Sequence, residues 1–256
     1  MEEFAISGSQ RSTIQSLQEV RRNQGINQNE LATGRLNPRT NVIADLASQA
    51  LSDRAGDIAS ARNDIDQGLS SLQAADEGLD AIEESLDLAR AIADEFESTT
   101  DAARQAELQA QFDEVARQID FLAEDSSFGG VNLISSNPSS ETVDFGTEPG
   151  SELTLNGEAS DSASLGLTLS VASVDAAISE VRSSRESIGS QATALEIRND
   201  FNENLANQLE AGAAELVEVD LNEAAAENLA LETRNQLGNA AQSIAVQSER
   251  AILQLF

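Results

Sequence analysis

Apolar residues recur at helical spacing along most of this chain. Between Pro38 and Pro138, Ile58, Ile65, Leu69, Leu72, Ala75, Leu79, Ile82, Leu86, Ala89, Ala93 and Phe96 step by three, four or seven, a seam of coiled-coil character. It predicts one helix from Val42 to Phe96, about 80 Å long at 1.5 Å per residue. The stretch "ESTTDAAR" then supplies a break and a new N-cap. Leu108, Phe112, Val115, Ile119 and Leu122 repeat the period on a second helix, which the Gly-Gly of "EDSSFGGVNLI" is expected to end. Helical spacing returns at Val174, Ile178, Val181, Ile188, Ala192 and Leu195 and continues through Leu205, Leu209 and Leu216. Between the helical stretches the period changes to two. Leu153 and Leu155, then Leu165, Leu167, Leu169 and Val171, alternate with polar or small residues around "NGEASDSAS", which predicts a β-hairpin within about 143–171.

The ends carry narrower stripes. Leu237, Ala241, Ile244, Ser248, Ala251 and Leu255 form one, and Ile14, Leu17 and Val20 a weaker one. The chain therefore runs out as helix, turns through a small β element and comes back as helix. The expected fold is mainly α: an elongated antiparallel helical bundle or coiled coil with a small β-hairpin and paired N- and C-terminal helices. Residues 1–41 with 217–256 would form a terminal coiled-coil domain and 42–216 a rod. The rod seam is assigned to Ile65, Leu69, Leu72, Leu79, Ile82, Leu86, Ile178, Val181, Ile188 and Leu195. Each terminal arm buries too little on its own to offset chain entropy, so the arms are expected to stay largely disordered until neighbours cover them. Ile14, Leu17, Leu229, Leu237, Ala241, Ile244, Ala251, Ile252, Leu255 and Phe256 are the candidate polymerisation interface.

Composition narrows the chemistry. The chain has 256 residues without Trp, Tyr, His or Cys and with eight Phe, so aliphatic side chains and Ala must do the burying. The commonest general base, the usual soft metal ligands and any thiol chemistry are absent. Carboxylate pairs such as Glu83 and Glu84 fall on polar helix faces, where acid–base work lacks a desolvated cleft. No enzyme, cofactor or metal site is expected. The net charge of −30 repels nucleic acid and anionic membranes, because both are bound through cations. That charge is uneven. Residues 1–41 carry +1, residues 221–256 carry −2, and the middle holds −29, so the ends can crowd while the middle must face solvent. No apolar run approaches the roughly 20 residues that span a bilayer, and "MEEFAISGSQ" lacks the pattern of a cleavable secretory signal. The chain is expected to be soluble, or to leave the cell by a route that needs no such signal.

The stretch "LALETRNQLGNAAQSIAVQSERAILQLF" resembles the C-terminal arm of bacterial flagellin. The likeness extends to "ARNDIDQGLSSLQAADEGLDAIEESLDLARAIA", "EDSSFGGVNLI" and "VDAAISEVRSSRESIGSQATALEIR". It implies a subunit of the flagellar filament, exported unfolded without a cleaved signal peptide and assembled outside the cell into an open helical homopolymer for swimming. A minimal form is implied, since only some 45 residues separate "NLI" from Val174 and leave no room for a variable outer domain. The partners implied are other copies, an export chaperone, hook-associated proteins and the cap protein. Leu88 stands where members sensed by the animal flagellin receptor carry Arg, whereas Arg90 is kept. The alternatives are a hook–filament junction protein and, from another class, a signalling coiled coil. The β segment and the missing membrane span argue against the latter.

Overall fold

The computed structural model describes residues 8–146 and 150–253. Helices α1 (Gly8–Thr33), α2 (Val42–Ser98) and α3 (Ala102–Asp125) are followed by strands β1 (Ser140–Asp144) and β2 (Glu152–Asn156). Helices α4 (Val171–Val217) and α5 (Leu221–Leu253) complete the chain. The residues divide into two compact units. One takes the chain up to Ser52 and from Glu210 onward; the other runs from Asp53 to Leu209.

The Asp53–Leu209 unit has a continuous aliphatic core. Ile65, Leu72, Leu79, Ile82 and Leu86 of α2 meet Leu108, Phe112, Val115 and Ile119 of α3 and Val174, Ile178, Val181, Ile188 and Leu195 of α4, with Leu69 partly buried against them. Local signals set the ends of these helices. Asp101 is extended and its carboxylate accepts the Ala103 N–H at 3.0 Å, which satisfies a donor the first turn of α3 leaves open. The helix stops at Asp125, before the Gly pair, and Gly129 and Gly130 form a separate turn. Their φ angles of 58° and 89° let Phe128 and Val131 exchange two backbone hydrogen bonds of 2.9 Å, a turn that side chains with a Cβ resist. Asn132 locks this turn to the helix. Its Nδ2 donates to the carbonyls of Ala123 and Glu124, and its Oδ1 accepts from Ile134 and Ser135.

The hairpin lies upstream of the position that alternation suggests. β2 pairs antiparallel with β1 in the register Val143↔Leu153 and Thr142↔Thr154, not with the segment 165–171. Val143 and Leu155 point to the core, and Val143 seats so close to α2 that a Cβ on Gly68 would lie 2.6 Å from its Cγ2. Residues 165–171 alternate for another reason. Leu165 is buried and Leu167 and Leu169 are half-buried in a run of turns, in which the Leu165 and Leu167 N–H groups donate to Asp161 and Ser162. Val171 already belongs to α4, whose first turn is capped by Ser170 Oγ accepting from Ser173.

In the other unit, α1 and α5 pack antiparallel: Leu17 meets Gly238, Gln24 meets Asn235 and Asn27 meets Glu227. Both arms are helical here, where the narrow stripes alone predict disorder until assembly. They shelter Leu17 and Leu231 against one another. Gly34, at φ 68°, ends α1 with its N–H on the Glu30 carbonyl, a left-handed cap. The chain then crosses the link between α4 and α5, with Leu36 N–H on Val217 O at 2.8 Å and Val219 N–H on Gly34 O at 3.1 Å. Asp220 caps α5 by accepting from Asn222 and Glu223.

Candidate assembly interface

The α1–α5 pair is held by a mixed seam. On α1 the covered side runs through Leu17, Val20, Gln24, Asn27 and Leu31; on α5 it runs through Ala224, Asn228, Leu231, Asn235 and Gly238. Steps of three and four make this a coiled-coil contact, yet four of its ten positions are amides. Asn235 Nδ2 donates to Gln24 Oε1 at 3.3 Å, and Asn27 Nδ2 to Glu227 Oε2 at 3.4 Å. Asn27 is buried, and its Oδ1 has no partner among the described residues. Polar layers of this kind set register at a cost in stability. Gly238 completes the seam: a Cβ there would stand 2.5 Å from Leu17 Cδ2, so the missing side chain is what admits the leucine.

The richest apolar stripe of α5 faces the other way. Leu229, Leu237 and Ile244 are 66%, 65% and 66% exposed, and Ala241 between the last two is exposed as well. Steps of four and three put Leu237, Ala241 and Ile244 on one face. Leu237 is the immediate neighbour of the covered Gly238, so a shift of one residue, about 100° around the helix, separates the sheltered side from the open one. Sequence spacing assigns this stripe to the polymerisation interface; in the single chain it is exposed, and the more polar side of α5 pairs with α1. Of the other predicted interface residues, Leu17 is buried and Ile14 half-buried on α1. The side chains of Ala251 and Ile252, and all of Leu255 and Phe256, lie outside the described residues.

Exposed apolar residues that spacing does not single out extend the open surface of this unit. Val42, Ile43 and Leu46 at the start of α2, with Leu216 and Leu221 around the joint of α4 and α5, are all exposed. The signal for them was present, since Val42, Ile43 and Leu46 precede the first member of the long seam at Ile58. Among the described residues no group of acidic side chains is placed to hold a metal ion, and no helix is long and apolar enough to cross a membrane. What this surface can do is associate. A helix with one covered and one open apolar side needs a further helix to complete its burial.

Residues 171–256, comprising α4 and α5, match the family model of the bacterial flagellin C-terminal helical region. The chain is similar to bacterial flagellins over part of its length. Flagellin FljK of Caulobacter vibrioides is 30% identical over 161 residues, covering 58% of this chain and 59% of the relative. Flagellin A of Rhizobium meliloti is 34% identical over 86 residues, covering 34% of this chain and 22% of the relative. A Bacillus cereus flagellin crystal structure superposes with a TM-score of 0.48 at 22% identity, covering 54% of this chain and 88% of that one. The chain spans about three fifths of the length of the Caulobacter flagellins it matches. The flagellin-like region contains the whole exposed stripe of α5.

Proposed function

We propose that this chain is a structural subunit of the bacterial flagellar filament, self-assembling outside the cell into an open helical tube for swimming. The match of residues 171–256 to the flagellin C-terminal helical region carries the reading. The open stripe of α5 supplies its physical basis: Leu229, Leu237 and Ile244 leave water when helices of neighbouring copies pack on them, each contributing roughly 1.5–3 kcal/mol if fully buried. The polymerisation surface then comprises Ile14, Leu17, Leu229, Leu237, Ala241, Ile244, Ala251, Ile252, Leu255 and Phe256. An export chaperone, hook-associated proteins and a cap protein are its further expected partners, by likeness to the family. The work of such a tube is mechanical. Stiffness comes from packed helices and needs no chemistry.

Electron microscopy of the purified chain as salt is raised tests the reading. Long filaments are expected, with a critical concentration that falls as salt screens the net charge of −30. Particles that stay monomeric at every salt and protein concentration would overturn it.

A further inference from the structure

Two exposed patches of the Asp53–Leu209 unit remain outside both its core and the α5 surface. The first is a groove of about 380 Å³ between the hairpin and α4, lined by Phe145, Leu153, Ala194, Ile197, Arg198 and Phe201. Ile197 and Phe201, one turn apart on α4, are 66% and 51% exposed. Between the rings lies a cation: the Arg198 guanidinium carbon is 5.3 Å from the Phe145 ring centre and 5.1 Å from that of Phe201. Its Nη2 donates to Ser151 Oγ at 3.1 Å, while its Nε is buried without a partner among the described residues. Asn202 fixes the wall by donating to the Phe145 carbonyl at 3.0 Å.

Arg198 differs from most arginines of this unit. Arg62, Arg90, Arg104, Arg117, Arg182 and Arg185 each pair with a carboxylate, whereas among the described residues Arg198 is held by rings and a hydroxyl. A half-buried cation beside apolar walls fits an apolar side chain with a carboxylate next to it. The second patch has that chemistry. Phe121 on α3 is 66% exposed, and Asp125 follows four residues later on the same side of the helix. The Asp125 carboxylate has no hydrogen bond or ion pair among the described residues.

We infer that the end of α3 in one copy docks on the hairpin–α4 groove of a second copy, with Phe121 entering the groove and Asp125 pairing with Arg198. Charge decides for a second copy as occupant: residues 53–209 carry a net −24, so units that pack side by side need cation–carboxylate contacts to offset repulsion, and Arg198 is available for one. The two patches are different surfaces of one unit. Their contact is therefore heterologous, the kind that builds an open polymer wherever the rotation from copy to copy does not close a ring. This inference rests on the filament reading and adds to it a lateral or axial contact away from α5.

Charge exchange tests it. Arg198→Asp and Asp125→Arg are each expected to raise the critical concentration for assembly about tenfold or more, the scale of a hot-spot loss, and the two together to bring it back to within about threefold of the unaltered chain. Thermal melting of the monomers separates a folding defect from a contact defect. Phe121→Ser, an exposed change, should raise the critical concentration without altering melting. An unchanged critical concentration for Phe121→Ser, or no recovery in the doubly substituted chain while the unaltered chain polymerises, would overturn the contact and leave the filament reading standing. Failure of the unaltered chain to polymerise overturns both.

Discussion

The two compact units differ in what they do with their cations and their aliphatic side chains. In the Asp53–Leu209 unit, six of eight arginines are in ion pairs, and Ile65, Leu79, Ile82 and Leu86 are fully enclosed. In the unit that holds α1 and α5, none of Arg11, Arg21, Arg22, Arg35, Arg39, Arg234 or Arg250 is in an ion pair among the described residues. There, amides occupy seam positions while leucine and isoleucine face out. The first unit satisfies most of its own groups, and the second leaves more of them for a partner. Paired surface charges contribute little each, so what matters is the direction in which the apolar surface points. A closed core stabilises a monomer; an open one stores association energy.

Removing the open surface should give the largest effect. A chain ending at Gln236 is expected to form no filaments by electron microscopy, while the melting transition of the other unit stays in place. Filaments from that truncation would break the contrast. Next comes the closed core: Leu79→Ala should destabilise the monomer by about 2–5 kcal/mol, read by urea unfolding. Its counterpart on the open face, Leu237→Ser with Ile244→Ser, should change monomer stability by less than about 0.5 kcal/mol per site and yet raise the critical concentration. If both pairs of measurements moved together, the two units would not be doing different work.

Gly238→Ala sharpens the account of the covered side. The added Cβ crowds Leu17, but alanine favours helix by about 1 kcal/mol, so a net loss of roughly 1 kcal/mol is expected from overpacking of 1–3 kcal/mol. Faster amide hydrogen exchange in α1 would register it. Exchange unchanged or slowed would show that Leu17 simply moves aside.

The smallest effect concerns acid. Hydrogen bonds from Arg182, and then Arg185, hold the Glu83 carboxyl below its ordinary range against the opposing effect of burial. A depressed carboxylate stabilises the fold above the unfolded value, and that contribution disappears as pH falls through the folded one. Glu83→Gln should therefore lower stability at neutral pH by under about 1 kcal/mol and narrow the gap between melting at pH 7 and at pH 3. An equal gap in both chains would remove Glu83 from the acid response.

Helix lengths and breaks could be read from the residues alone, because the signals are local. A 3.6-residue period and the N-cap within "ESTTDAAR" state where α2 runs and α3 begins, each acting within a turn or two of itself, whereas the start of α4 at Val171 falls inside the stretch that alternation assigns to the hairpin. The strand reading succeeded only in part. Leu153 and Leu155 lie in β2, but alternation over 165–171 cannot distinguish a strand from turns that dip alternate residues into a core. The choice of Val143 as partner depends on a neighbour that sequence order does not name. The same holds for the groove around Arg198: Phe145 and Phe201 are 56 residues apart in sequence, and no spacing rule joins them.

What the chain determined by itself, then, is a set of long helices with near-neutral ends and an acidic middle, since periodicity and charge are properties of each stretch. Only the tertiary structure decided which side of α5 is covered. Leu237 and Gly238 are adjacent, and both sit on plausible stripes; the choice falls to Leu17, which enters the space a glycine leaves. Close packing rewards fit over hydrophobicity, and so the greasier face is the one left open to another molecule.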